Sequence, residues 1–188
     1  MCVCILSCLC SSAEIYPSPG IVESPDGEEL RLFYGAMAYT HDENGSPRTG
    51  RHNSGVGMAS LRSDGFVSIN APRVFNVPAD ELPGFTTVPL TVPSFKCEPL
   101  TPRLVLQANV QTSISGLMLV EVIGSSDNKA LLGMALHDAD PIRGNFMKTK
   151  ISWRGNYSWA EQMRGSLVRL RIAMTDTKLY SMSWACAK

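Results

Sequence analysis

The sequence predicts an all-β protein built chiefly as an antiparallel β-sandwich, and three observations lead to that expectation. The chain of 188 residues carries 15 Gly and 12 Pro against 18% charged residues, a balance that suits short strands joined by tight turns. Short runs with apolar residues at alternate positions recur at intervals of roughly 8–15 residues, each bounded by Gly, Pro, Asn or Asp. Only Ser158 to Arg164 has the composition of a helical turn, and it is too short to be more than a connector. A chain of this length forms one well-cored domain, or one modest domain with an appendage.

The first patterned stretch is Met1 to Ala13, with Cys2, Cys4, Cys8 and Cys10 set among apolar residues. It reads either as a short secretory core ending in Ser11-Ser12-Ala13, without the usual Lys or Arg ahead of it, or as a strand or gene start belonging to something upstream. The first reading places the protein outside the cell, and the second leaves its compartment open. The stretch is too short to span a bilayer as a helix. C-x-C-x3-C-x-C invites a metal, but no His follows nearby and the intervening residues are apolar, so neither metal nor other cofactor is expected. Cys97 and Cys186 complete the six cysteines, and their distribution is not that of a disulfide framework.

Tyr16-Pro17-Ser18-Pro19-Gly20 and Ser24-Pro25-Asp26-Gly27 read as turns, and Leu30 to Tyr34 as a short alternating strand. A polar loop without apolar periodicity runs from Thr40 to Ser54 and belongs on a surface. Gly55 to Leu61 is a second strand, Arg62-Ser63-Asp64-Gly65 a turn, and Phe66 to Ile69 a third strand. Further β runs follow at Thr86 to Val92, Arg103 to Val110, Gly116 to Ile123, Ala130 to Leu136, Thr149 to Trp153, Leu167 to Met174 and Leu179 to Trp184.

Charge and motif content exclude several functions. Lys+Arg and Asp+Glu number 17 each and form no basic stripe, so nucleic acid is not an expected partner. Gly55-Val56-Gly57 lacks the third glycine and the following helix of a dinucleotide site, and neither a phosphate loop nor a nucleophile elbow is present.

Several strings, in order, are similar to a known family. Leu61-Arg62-Ser63-Asp64-Gly65-Phe66-Val67-Ser68-Ile69 resembles the "LRxDGFVSL" junction between propeller and sandwich in relatives of the sucrose- and arabinan-cleaving glycoside hydrolases (families 32 and 43). Thr86 to Leu90 resembles "TTKPL", Leu104 to Asn109 "LxLN", Leu119 to Ile123 "VEVL", and His137 to Asn145 "DCDPIxGD" with Ala139 in place of Cys. Gly165 to Arg171 and Leu179 to Met182 are similar to the closing "GxPVRLRFxLxDAxLYSF", and Leu32-Phe33-Tyr34-Gly35 resembles the "LYYG" strand of a final propeller blade. The resemblance implies a jelly-roll or concanavalin-like sandwich over 64–188, preceded at 15–63 by an incomplete five-bladed-propeller blade and at 1–14 by the Cys-rich leader. It further implies a non-catalytic, carbohydrate-associated module of a glycoside hydrolase-like protein, with carbohydrate, a propeller domain or a second copy of the chain as partner. The alternatives are part of an active glycosidase whose catalytic blades lie elsewhere, and an autonomous secreted lectin-like module.

Candidate site residues follow from sugar chemistry, in which an aromatic face stacks on C–H groups and planar polar side chains bond the hydroxyls. Trp153, Arg154, Asn156, Tyr157 and Trp159 form the densest such cluster, joined by His137, Asp138 and Asp140. The competing reading puts Trp153 in the sandwich core, with Tyr157 and Trp159 covering a loop, because Ile151 and Trp153 alternate against Ser152 and Arg154. For Asp138 and Asp140 it is a turn whose carboxylates accept backbone N–H groups. Asp42-Glu43 is the other tight carboxylate pair, read as a solvated loop, and His41 and His52 flank that loop without metal-ligand spacing.

Overall fold

Strands form where the alternation is strongest, and their ladders assemble two separate β units. The structure is a computed structural model that describes residues 14–37, 54–97 and 103–187. The expectations for Cys2, Cys4, Cys8, Cys10, His41, Asp42, Glu43 and His52 lie outside those residues. The chain divides into Met1–Phe66 and Val67–Lys188. No helix among the described residues is long and apolar enough to cross a membrane.

The first unit is an antiparallel meander of β1 (Glu14–Glu23), β2 (Glu29–Met37) and β3 (Ser54–Arg62). Its β1 replaces what the sequence reads as a turn. Pro17 and Pro19 lack a ladder donor, and the chain absorbs them at an edge strand whose register shifts between Pro17 and Ile21. The following turn is where the sequence puts it. Ser24 Oγ donates to Asp26 Oδ1 at 2.5 Å, and the same oxygen accepts the Glu28 N–H at 3.0 Å.

The second unit is all-β, antiparallel and sandwich-like. Its spine is a pair of long strands, β7 (Arg103–Gly124) and β9 (Leu167–Ala187). They pair antiparallel from Arg103↔Ala187 to Gly124↔Val168. On one side of β9 lie three short strands, β4 (Ile69–Ala71), β5 (Gly84–Thr86) and β6 (Leu90–Thr91); on the far side of β7 lies β8 (Asn145–Lys150). Each long strand is two predicted runs fused. The sequence breaks both at a polar patch, Gln111–Ser115 and Thr175–Lys178, but the ladder continues across it through a register shift between Thr112 and Leu117. The bulge interrupts the ladder there, and inward residues from both sides of it join one core. Gly116 is required there, since a Cβ would stand 2.3 Å from the Asp176 carbonyl oxygen.

The core follows from the period of two. Leu104, Leu106, Ala108, Val110, Met118, Val120 and Val122 of β7 are buried together with Val168, Leu170, Ile172 and Met174 of β9. On the opposite face, Glu121 and Arg171 stand across the ladder from each other and pair at 3.8 Å. A smaller cluster of Leu119, Leu136 and Ala173 covers part of the outer face.

Four strand expectations are corrected, the first being Thr149 to Trp153, where the strand is instead β8 at Asn145–Lys150 and Trp153 makes only isolated bridges. Ala130 to Leu136 is not a strand: only Ala130 bridges to Ile123, after which the chain turns, with the Met134 N–H donating to the Leu131 carbonyl at 2.9 Å and Gly133 at φ +75°. Thr86 to Val92 splits into β5 and β6, because Pro89 between them cannot donate to the ladder. Phe66 to Ile69 shrinks to β4, which begins at Ile69. The cysteines also depart from expectation. Cys97 and Cys186 form a disulfide across a separation of 89 residues, the fold having brought their Cα atoms to 5.5 Å. Nothing in their spacing announces this contact, which depends on where β9 ends relative to the segment after β6.

Candidate functional site

The predicted cluster at 137–159 is one structure built from a turn and a hairpin. Trp153 and Asn156 exchange both backbone hydrogen bonds, at 3.0 and 2.9 Å, around Arg154 and Gly155. Both central residues have positive φ, +52° and +77°, the backbone of a tight type I′ turn. Gly155 adopts this freely, whereas Arg154 does so at some strain. The 137–140 turn cradles the hairpin, the Arg154 N–H donating to the Asp138 carbonyl at 3.2 Å and the Asp140 N–H to the Ser152 carbonyl at 3.0 Å.

The two carboxylates hold this assembly together. Asp140 Oδ2 accepts from Ser152 Oγ at 2.6 Å and from the Gly155 N–H at 2.7 Å. The Ser152 bond, then the Gly155 bond, hold its carboxyl below the ordinary aspartate value. Asp138 is buried, with 5% of its side chain exposed, between the exposed side chains of His137 and Arg154. Its Oδ1 meets the Arg154 guanidinium as an ion pair, out of line for a hydrogen bond, and its Oδ2 lies 3.4 Å from His137 Nε2. A glycosidic general acid requires a raised carboxyl pKa, and Asp140 is shifted the other way.

The aromatic members separate from the polar ones. Trp153 and Trp159 are 2% and 1% exposed, which closes their faces to any dissolved sugar. They belong to an edge-to-face series with Trp184, ring centroids 5.6 and 5.7 Å apart, inside the core. Trp153 Nε1 donates to the Val120 carbonyl at 2.8 Å, while Trp159 Nε1 has no partner among the described residues. Trp159 opens the single helical turn α1 (Trp159–Gln162) that closes over β7, where Glu161 accepts the Leu104 N–H. Tyr157 stays half-buried with Lys150 Nζ 4.3 Å above its ring, and Asn156 is exposed, its Oδ1 capping the Ser158 N–H at 3.0 Å. The structure thus brings the predicted residues together, but as a structural knot in which the faces of Trp153 and Trp159 are hidden.

Two depressions lie elsewhere on this unit. One, of about 380 Å³, is lined by apolar residues including Val67, Ile69, Phe85, Leu179 and Met182. The other, of about 250 Å³, is lined mainly by polar residue types and sits against the bulge, with Asn70, Gln111, Ser113, Asp176 and Lys178 among its walls. Local sequence does not reveal this second group. β4, β9 and β7 bring it together through the register Asn70↔Lys178↔Gln111. The available signal was the polar interruption in two otherwise apolar runs.

Compared with protein-family models, curated proteins and solved structures, the chain matches none.

Proposed function

We propose that the chain is a non-catalytic, carbohydrate-associated module of a glycoside hydrolase-like protein. The supporting observation is order. The strings from Leu104 to Met182 fall in family sequence on the spine strands and their connections. The junction string Leu61–Ile69 contains the boundary between the two compact units, at Phe66 and Val67. The three-stranded meander that the described residues form before that boundary has the antiparallel order of part of a propeller blade. Asp140 Oδ2 clamps the hairpin through Ser152 and Gly155, and the Asp138 carboxylate is ion-paired with Arg154. The Cys97–Cys186 bridge suits an oxidising compartment, where extracellular glycans are met.

Two measurements on the full chain test this reading. Affinity electrophoresis in gels containing arabinan, fructan or xylan should retard the protein on at least one polymer, and no retardation on any refutes carbohydrate association. Reducing-sugar release should stay at background. Turnover that disappears in Asp138→Asn or Asp140→Asn would show an enzyme instead.

A further inference from the structure

We infer that the depression at the spine bulge is a binding site for one ring of a neutral, hydroxyl-rich ligand, a sugar residue with adjacent free hydroxyls. The site itself rests on geometry, while the choice of glycan as its ligand rests on the proposed carbohydrate association.

The first argument is the cross-strand row. Asn70 of β4, Lys178 of β9 and Gln111 of β7 stand directly opposite one another in adjacent ladders, and all three are exposed. Facing pairs have Cβ atoms about 5 Å apart, so the row presents its polar ends over roughly 10 Å, the span of one pyranose or furanose ring with its hydroxyls. The depression of about 250 Å³ beside it has room for one such ring.

The second argument is that the row is oriented. Ser68 Oγ donates to Asn70 Oδ1 at 2.8 Å, and Tyr180 Oη donates to Gln111 Oε1 at 3.0 Å. With both amide oxygens engaged as acceptors, both NH2 groups are left as donors, without another partner among the described residues. Asp176 supplies the complementary acceptor. Its Oδ2 takes Ser113 Oγ at 2.5 Å and Ser115 Oγ at 3.3 Å, leaving Oδ1. Its backbone is left-handed at φ +46°, a conformation set by the bulge that also excludes a side chain at Gly116.

The third argument concerns charge. Lys178 and Asp176 stand in one wall set, so a cationic ligand meets Lys178 and an anionic one meets Asp176. Hydroxyls both donate and accept, so a polyol satisfies the two amides, the ammonium and the carboxylate together.

The test is isothermal titration of the full chain with neutral arabino-, fructo- and xylo-oligosaccharides, with oligogalacturonate and chitosan oligomers as charged controls. The variants are Asn70→Ala, Gln111→Ala and Asp176→Asn; asparagine tolerates the left-handed backbone, and thermal midpoints check that each variant folds. Binding of a neutral oligosaccharide that weakens about tenfold or more in each variant supports the site. Neutral binding unchanged in all three overturns the site and leaves the carbohydrate reading standing. Binding of a charged oligomer alone overturns the assignment of ligand class. Absence of binding to every probe overturns both.

Discussion

Breaking the Cys97–Cys186 bridge offers the most quantitative test of the fold. The bridge closes a loop with a sequence separation of 89 residues, joining the segment after β6 to the end of β9. In the chain-entropy relation, a loop of that length removes about 15 cal/mol/K from the unfolded ensemble, or about 4.6 kcal/mol at 25 °C. Spread over a unit of this size, that corresponds to a fall in melting temperature on the order of 15 °C. Cys97 also packs against the core, so Cys97→Ser adds a small burial loss, and Cys186→Ala is the cleaner variant. Near-ultraviolet circular dichroism should record the melt of wild type and of Cys186→Ala, each with and without a phosphine reductant. Wild type should lose about 15 °C on reduction, whereas the variant should start low and hardly respond. A wild-type shift below about 5 °C, or an equal response from the variant, would refute the reasoning.

Two further predictions follow from the site. Trp153→Phe and Trp159→Phe remove similar volume from one core, but only the first leaves a carbonyl, that of Val120, without its indole donor. Urea denaturation should therefore show Trp153→Phe as the more destabilised by about 1–2 kcal/mol, and equal losses would remove the hydrogen bond from the account. Asp140 has its folded pKa depressed below 3.8, so its contribution is fully present above that value and is lost as pH falls through the lower folded pKa. Asp140→Asn should be less stable than wild type at neutral pH, with the difference shrinking below about pH 4; a constant difference across pH 2–7 would count against the ionised carboxylate as the clamp.

How far the sequence anticipates the structure depends on whether the determining contacts are local. The core faces of β7 and β9 are legible because a period of two is a property of consecutive residues, as in Leu104-x-Leu106-x-Ala108. The turn at Arg62–Gly65 is equally local, closed by the Gly65 N–H on the Arg62 carbonyl at 2.8 Å. The fusion of four runs into two long strands is not legible, because the polar patches Gln111–Ser115 and Thr175–Lys178 look like loops until each finds the other across the ladder. Leu132, fully exposed, marks the lost strand at Ala130 to Leu136: hydrophobicity suggested an element, but after a single bridge to Ile123 the chain turns at Gly133 instead of continuing along β7. The Trp-rich cluster shows the same limit. Aromatic and polar residues within a few positions read equally well as a sugar platform or as a hairpin folded over a core, and only the burial of Trp153 and Trp159 decides against exposure of those two rings.

The spine also imposes an order in time. Among the described residues, β4, β5 and β6 each find their ladder partner in β9, the last of the described strands, and β7 draws most of its pairing from the same strand. A chain emerging from the ribosome therefore displays the apolar runs of β7 with little to pair against. At about 5–20 residues per second, the stretch from Gly124 to Ala187 takes on the order of 3–13 s to synthesise. The unit is thus folded by its final segment, and during that interval the nascent chain depends on chaperones or on its own polar interruptions to stay unassociated.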